Sequence, residues 1–135
     1  MQWNINFATG IKSIDEEHHE IVKMITKLQD SLDDGLVTHQ LGMVLKDLVN
    51  YTKYHFSSEE NFMSQIHFPG LEIHIKFHKE LTENIIKILL NLKEGKTITS
   101  IDLIEFLKNW LTNHIINEDK KIGIYYTEYL EKAKQ

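Results

Sequence analysis

The sequence predicts an all-α protein, namely an up-down-up-down four-helix bundle with an extended N-terminal arm and a short C-terminal helix. Apolar residues recur with a helical period in four long stretches, which short polar or turn-forming segments join. No stretch shows the alternation of a strand over a useful length. The chain has 135 residues, of which 41% are hydrophobic and 26% charged, so we expect one domain over residues 1–135.

The first 12 residues lack a helical period, and we interpret them as an extended arm or loop. The apolar side chains available to lay this arm over the core are Trp3, Ile5 and Phe7. Ser13 and Glu16 resemble a capping box, which predicts that the first helix begins at Ser13. Asp33-Asp34-Gly35 is a typical helix end. The predicted inward face of this helix carries Ile14, His18, Ile21, Ile25, Leu28 and Leu32.

The second helix is predicted from Thr38 to Gln65, and the third from Leu71 to Lys93. A turn at Pro69-Gly70 separates them, and Gly95 closes the third helix. The inward stripe of the second helix comprises Leu41, Leu45, Leu48, Thr52, His55, Glu59 and Phe62. The inward stripe of the third helix includes His74, His78, Leu81, Ile85, Ile88 and Leu92.

A polar connection leads to the fourth helix, which is predicted to begin at about Ser100. Its inward face carries Leu103, Leu107, Trp110, Leu111 and His114. The last stretch, from Asp119 to Lys134, is helical in composition, and we expect Gly123 to interrupt it.

Composition excludes several classes of function. The net charge is −5 with no basic run, which disfavours nucleic-acid binding. The chain has no cysteine, so a metal site must use imidazole and carboxylate rather than thiolate. The apolar runs are too short to span a membrane and no secretory signal is visible, so we expect a cytoplasmic protein. No large exposed apolar stripe stands out, and a monomer is the default expectation.

Five of the eight histidines lie on inward helix faces, at least one on each of the four helices. Several buried imidazoles and carboxylates are costly unless a metal binds them. His74 and His78 are four residues apart and can bind one ion, with His114 as a third nitrogen ligand. His18 and His55 can hold a second ion. Glu59, one turn from His55, could bridge the two ions.

A second bridging carboxylate is expected near His114, and spacing alone favours Glu118. Glu118 follows His114 by four residues and would share its face of a regular helix. Asp119 follows by five residues, about 140° away around an α-helix.

The motifs together resemble the hemerythrin family, and in particular its free-standing bacterial form, bacteriohemerythrin. The motifs are Asp15-x-x-His18, His55-Phe56-Ser57-Ser58-Glu59-Glu60, His74-x-x-x-His78 and His114-Ile115-x-x-x-Asp119. Each is weak alone, but four in the right order, one per helix, are specific, and the resemblance extends from Trp3 to about Gly123. The ligands that it implies are His18, His55, Glu59, His74, His78, His114 and Asp119. Asp119 rather than Glu118 then bridges, which requires a break or bulge in the fourth helix.

The resemblance implies two non-haem iron ions with a bridging oxo or hydroxo group. The iron of His18 and His55 has one histidine fewer than the other, which leaves one open coordination position for dioxygen. Reversible dioxygen binding for carriage, storage or delivery is therefore the expected function, and an oxygen-using enzyme or a reductase is a possible partner. The candidate residues around the open position are Leu111, Trp110, Phe56, Ile21 and Trp3.

Two other functions stay open at this point. One is oxygen or redox sensing through a separate partner, and the other is a di-iron enzyme that acts on peroxide or nitric oxide. The remaining polar residues are interpreted structurally: Asp15 as a first-turn helix acid, Glu60 and Glu118 as solvated carboxylates. The histidines interpreted as surface or turn residues are His19, His39 and His67.

Overall fold

The structure, a computed structural model, describes residues 4–33, 38–96 and 98–134, apart from the side chains of residues 33, 38, 39 and 115. The α-helices are α1 (Lys12–Asp33), α2 (Thr38–Gln65), α3 (Leu71–Lys93), α4 (Ser100–Thr112) and α5 (Lys120–Ala133). A 3₁₀ turn spans Ile5–Phe7, and a π-helix spans Asn113–Asp119 between α4 and α5. These elements contain no strand, in agreement with the predicted all-α class.

The predicted up-down-up-down four-helix bundle is confirmed. α1 packs against α2 and α4, and α2 packs against α3. α2 and α3 have the predicted bounds, and α1 begins at Lys12, one residue before the prediction. In the part of the chain that the structure describes, no helix is both long and apolar enough to cross a membrane.

The core consists of two apolar clusters, one towards each end of the bundle. The larger cluster includes Ile21 of α1, Phe56 of α2, Leu81 of α3 and Leu111 of α4. The smaller cluster is Ile11, Ile14, Met63, Ile66 and Ile122. Along each helix the inward histidines and carboxylates lie between residues of the two clusters, and the order of the clusters reverses from one helix to the next. The polar residues therefore form one layer across an antiparallel bundle.

The N-terminal arm is anchored to the start of α1. Asp15 accepts hydrogen bonds from the backbone N–H and the hydroxyl of Thr9 at 2.8 Å, and from the N–H of Gly10 at 3.1 Å. Phe7 packs against the larger cluster as predicted, but Ile5 is 80% exposed, so its predicted place over the core is wrong. Trp3 lies outside the described residues, as does most of the predicted helix end at 33–35.

Gly123 does not interrupt the last helix, contrary to the prediction, because α5 runs unbroken from Lys120 to Ala133. Gly123 is buried, and a Cβ at this position would lie 2.1 Å from the carbonyl oxygen of Thr9. A glycine is thus required for the close approach of the N-terminal arm rather than for a helix end.

Candidate metal centre

The bundle brings all seven predicted ligand side chains together in the polar layer, and all seven are buried. They are His18 from α1, His55 and Glu59 from α2, His74 and His78 from α3, and His114 and Asp119 from the π-helix. Their potential ligand atoms form two overlapping groups, within each of which all atoms lie within 4.8 Å of one another. One group contains His18 and His55, the other contains His74 and His78, and His114, Glu59 and Asp119 belong to both.

Glu59 lies between the two histidine groups because α2 places it one turn after His55. Its Oε1 is 2.8 Å from Nε2 of His74 and 2.9 Å from Nε2 of His78. Its Oε2 is 3.3 Å from Nε2 of His55 and 3.7 Å from Nε2 of His18. Each carboxylate oxygen therefore faces a different histidine group, as a carboxylate shared by two metal ions must.

Asp119 reaches the same layer because the chain from Asn113 to Asp119 is π-helical. A π-helix pairs residues five apart, so His114 and Asp119 come to one face where an α-helix would separate them. Asp119 is fully buried, whereas Glu118 is partly exposed and its carboxylate bonds Lys121 at 3.4 Å. The predicted bulge is confirmed, and the choice of Glu118 from spacing alone is wrong.

The two oxygens of Asp119 also reach both histidine groups. Oδ2 lies 2.7 Å from Nε2 of His18 and 3.1 Å from Nε2 of His114. Oδ1 lies 3.0 Å from Nε2 of His74. Asp119 thus resembles Glu59 in spanning the layer, and the two carboxylates together connect all four sides of the bundle.

The position of His114 favours the group on α3. The ring centroid of His114 lies 5.0 Å from that of His78 and 5.5 Å from that of His74. Its distance from the ring of His18 is 6.4 Å, while His18 and His55 are 4.5 Å apart. The rings therefore divide into three on one side and two on the other, as the sequence predicted.

Many nitrogen and oxygen atoms of the seven side chains make no hydrogen bond with one another, and this leaves them available as metal ligands. Buried atoms without a hydrogen-bond partner among the described residues include both ring nitrogens of His18 and His114, Nε2 of His55 and both oxygens of Asp119. Some of these atoms are close, such as Nε2 of His18 and Oδ2 of Asp119, but they lack hydrogen-bond angles. Nitrogen and carboxylate donors without thiolate suit a non-haem iron, manganese or zinc centre.

Electrostatics in the layer also require positive charge. Burial alone would lower the pKa of His55, but the hydrogen bond to Glu17 and the nearby charge of Glu59 outweigh it and raise the pKa to about 10. The pKa of His74 rises to about 9, because Asp119 and Glu59 outweigh the lowering effect of burial. Burial and the charge of Asp119 would raise the pKa of Glu59, yet the nearby His55 and hydrogen bonds from His74 and His78 lower it to about 2. Without a metal, protons on the histidines compensate the two carboxylates.

Two further carboxylates, which the sequence did not predict as partners, bind the Nδ1 atoms of two of the histidines. Nδ1–H of His55 donates to Glu17 at 2.8 Å, and Ser58 donates to the other oxygen of Glu17 at 3.1 Å. Nδ1–H of His78 donates to Glu60 at 2.8 Å, so the interpretation of Glu60 as a merely solvated carboxylate is wrong. These bonds leave Nε2 of each ring free to face the layer. Both contacts cross between helices, so no spacing within one helix reveals them.

Four of the five candidate pocket residues are buried beside the layer, within or against the larger cluster. Leu111 and Ile21 each lie one turn from a histidine, His114 and His18 respectively. The ring of Phe56 stacks on His78 with centroids 3.8 Å apart. The indole N–H of Trp110 donates to the carbonyl of Leu81 at 3.2 Å, so this polar group is occupied elsewhere. Trp3, the fifth candidate, lies outside the described residues.

The residues interpreted structurally lie mostly where the sequence suggested. His19 and His67 are exposed, and His67 adopts a φ of 56° in the turn before α3. Asp15 is in the first turn of α1 and holds the N-terminal arm. The side chain of His39 lies outside the description.

Known proteins similar to this chain include bacterial hemerythrins. A bacteriohemerythrin of Pseudomonas aeruginosa is 32% identical over 117 residues, which cover 87% of this chain and 75% of that protein. One of Campylobacter jejuni is 29% identical over 119 residues, covering 88% of this chain and 90% of that protein.

Solved structures and a family model agree with these relatives. The crystal structure of a wild-type hemerythrin matches with a TM-score of 0.84 at 29% identity, covering 91% of this chain and 95% of that one. A hemerythrin mutant in which a leucine is replaced by alanine gives a TM-score of 0.85 at 28% identity, covering 93% and 95%. The family model described as the hemerythrin HHE cation binding domain matches residues 9–123. The motifs, the fold, the buried histidine–carboxylate layer and these matches agree, and the chain belongs to the hemerythrin family.

Proposed function

We propose that this protein binds dioxygen reversibly at a non-haem, carboxylate-bridged di-iron centre, for oxygen carriage, storage or delivery. The observation that supports it most directly is that the two carboxylate oxygens of Glu59 face different histidine groups. Oε1 faces His74 and His78, and Oε2 faces His55 and His18. A single ion would not need one buried carboxylate to serve both groups. Membership of the hemerythrin family supports the same assignment.

In this proposal His74, His78 and His114 hold one iron, and His18 and His55 hold the other. Glu59 and Asp119 are shared by both. When bound, a pair of ferrous ions supplies the electrons that reversible binding of dioxygen uses. The side with two histidines has fewer protein ligands, so it is the side where we expect the small ligand.

The chain's own residues would provide the setting for reversible binding. Glu17 and Glu60 orient His55 and His78 by accepting their Nδ1–H protons. Leu111 and Ile21 are almost completely buried beside the layer and keep water away from it. Trp110 directs its N–H to the backbone rather than to the layer, which leaves its apolar face to the core. This apolar setting favours return of the ligand unchanged over further chemistry.

The test is to load metal-free protein with Fe²⁺ under argon, count the iron and follow dioxygen uptake with an oxygen electrode. We expect two irons per chain, uptake of one dioxygen per iron pair, and its return to the solution on purging. One iron per chain, or steady consumption of dioxygen without return, would contradict the proposal. Turnover on added peroxide or nitric oxide would instead favour an enzyme.

A further inference from the structure

Thr52 carries a hydroxyl that is completely buried and has no hydrogen-bond partner among the described residues. It lies on the inward stripe of α2, one turn before His55. A buried hydroxyl without a partner costs free energy, and such groups in proteins generally have a partner. The position therefore requires an explanation that the packing of the helices does not supply.

Four other hydroxyls on the helices of this protein have a hydrogen-bond partner within their own helix. Thr26, Ser31, Thr82 and Thr127 each donate to the backbone carbonyl four residues earlier, at 2.9 to 3.0 Å. This is the usual choice for threonine and serine inside a helix. Thr52 does not make this bond, although it is more deeply buried than any of them. Its hydroxyl is thus left available to a ligand.

The location of Thr52 indicates which ligand. On the side of the polar layer that faces the larger cluster, the residues one turn from the histidines include Ile21 on α1, Leu81 on α3 and Leu111 on α4, all apolar and buried. Thr52 is the corresponding residue on α2, and its hydroxyl has no partner among the described residues, whereas the hydroxyl of Thr82, one turn after His78, donates to the backbone. It also adjoins His55, which belongs to the two-histidine side.

We propose that the Thr52 hydroxyl donates a hydrogen bond to dioxygen held on the side of His18 and His55, and thereby slows its release. The inference rests on the proposed function, because it assigns a residue to the ligand pocket of the same site. An O–H donor suits a small ligand with acceptor atoms, and a single donor in an apolar pocket retains the ligand without supplying a titratable acid. Thr52 is on this view a residue that sets affinity.

The experiment compares wild-type protein with Thr52→Val, which has nearly the same shape but no hydroxyl, and Thr52→Ser, which keeps the hydroxyl. Thr82→Val is the matched control, because Thr82 also lies one turn from a histidine but donates to the carbonyl of His78. Dioxygen release from the iron-loaded proteins is followed by stopped flow. Unfolding of the metal-free proteins by urea is the second readout, which is independent of iron and dioxygen.

We expect Thr52→Val to release dioxygen about 3- to 10-fold faster, the effect of one neutral hydrogen bond. Thr52→Ser should restore slow release, and Thr82→Val should behave as wild type. In the metal-free state Thr52→Val should unfold at a higher urea concentration, because the unpartnered hydroxyl is gone. Equal release rates, or a lower urea midpoint for Thr52→Val, would overturn the inference alone. Wild-type protein that takes up no dioxygen would overturn the proposed function itself.

Discussion

Asp119 is the residue that gives the two histidine groups a second shared carboxylate, in addition to Glu59. Regular helical spacing favours its neighbour Glu118, and only the family resemblance pointed to Asp119. The structure buries Asp119 and directs Glu118 towards Lys121. The reason is local: periodicity arguments assume α-helical geometry, and residues 113–119 are π-helical. Sequence periodicity therefore fails at the place where the backbone departs from the regular helix.

Replacing Asp119 tests this assignment, with its neighbour as control. Asp119→Ala removes one of the two carboxylates that reach both histidine groups, so we expect iron-loaded protein to retain clearly less than two irons per chain. Glu118→Ala removes a partly exposed carboxylate whose bond goes to Lys121, and iron content should stay at the wild-type value. Metal analysis after gel filtration gives both numbers. Equal iron content in the two variants would contradict the role of Asp119.

Protons compete with metal ions for the ring nitrogens of individual histidines. In the metal-free protein the raised pKa values of His55, about 10, and His74, about 9, keep both rings protonated at neutral pH. A nitrogen must lose its proton before it binds an ion, so metal binding should release protons. The apparent affinity for Zn²⁺ should therefore rise from about pH 6 to about pH 9, by roughly tenfold per unit for each proton displaced.

Calorimetric titration of the metal-free protein with Zn²⁺, in two buffers of different ionisation enthalpy, measures these protons directly. Glu59→Gln serves as the comparison, because it removes one of the carboxylates that raise both histidine pKa values and should reduce the number of protons released. An affinity that does not change over this pH range would contradict protonated histidines in the metal-free layer.

At the scale of elements, the N-terminal arm and the start of α5 are joined by a contact that sequence reasoning misread. Gly123 suggested a helix interruption, since glycine is a poor helix former. In the structure its missing Cβ admits the carbonyl oxygen of Thr9, and Asp15 holds the same Thr9 from the other side. The arm is thereby seated next to the helical segment that carries Asp119. A contact between residues so far apart in the chain leaves no local pattern in the sequence.

Two glycine-to-alanine variants test this contact. Gly123→Ala would place a Cβ 2.1 Å from the Thr9 oxygen, so the arm or the helix must move, and we expect a loss of about 1–3 kcal/mol in unfolding free energy. Gly42→Ala, in α2, meets nothing within 4 Å and should gain about 0.5–1 kcal/mol from better helix propensity. Urea unfolding of the metal-free proteins measures both. A stabilised Gly123→Ala variant would contradict the close approach.

At the scale of the whole molecule, the bundle is a polar layer between two apolar clusters. The helical stripes predicted both the fold and the layer, because the histidines and Glu59 occupy positions that periodicity otherwise reserves for core residues. The outer partners Glu17 and Glu60 and the unpaired hydroxyl of Thr52 could not be predicted in this way. Their roles depend on how neighbouring helices are turned towards each other and on which bonds a side chain does not make.

The layered architecture also links metal to stability. When no metal is present, only protons on the histidines compensate the negative charge of the buried carboxylates. Several nitrogen and oxygen atoms of these side chains also lack hydrogen-bond partners among the described residues. Metal that binds the folded chain should stabilise it by about 2.7 kcal/mol at a free concentration of 100 times the dissociation constant. Differential scanning calorimetry with and without Zn²⁺ should show a higher midpoint with the metal. An unchanged midpoint would contradict a metal site in the polar layer.

Reversible dioxygen binding is tested most directly by the visible absorption spectrum of the iron-loaded, reduced protein during alternate exposure to air and purging with argon. We predict an absorption band that appears with air, disappears on purging and returns over successive cycles, because the buried apolar surround of the polar layer excludes water. A single irreversible change to the oxidised protein, or no change on exposure to air, would contradict it.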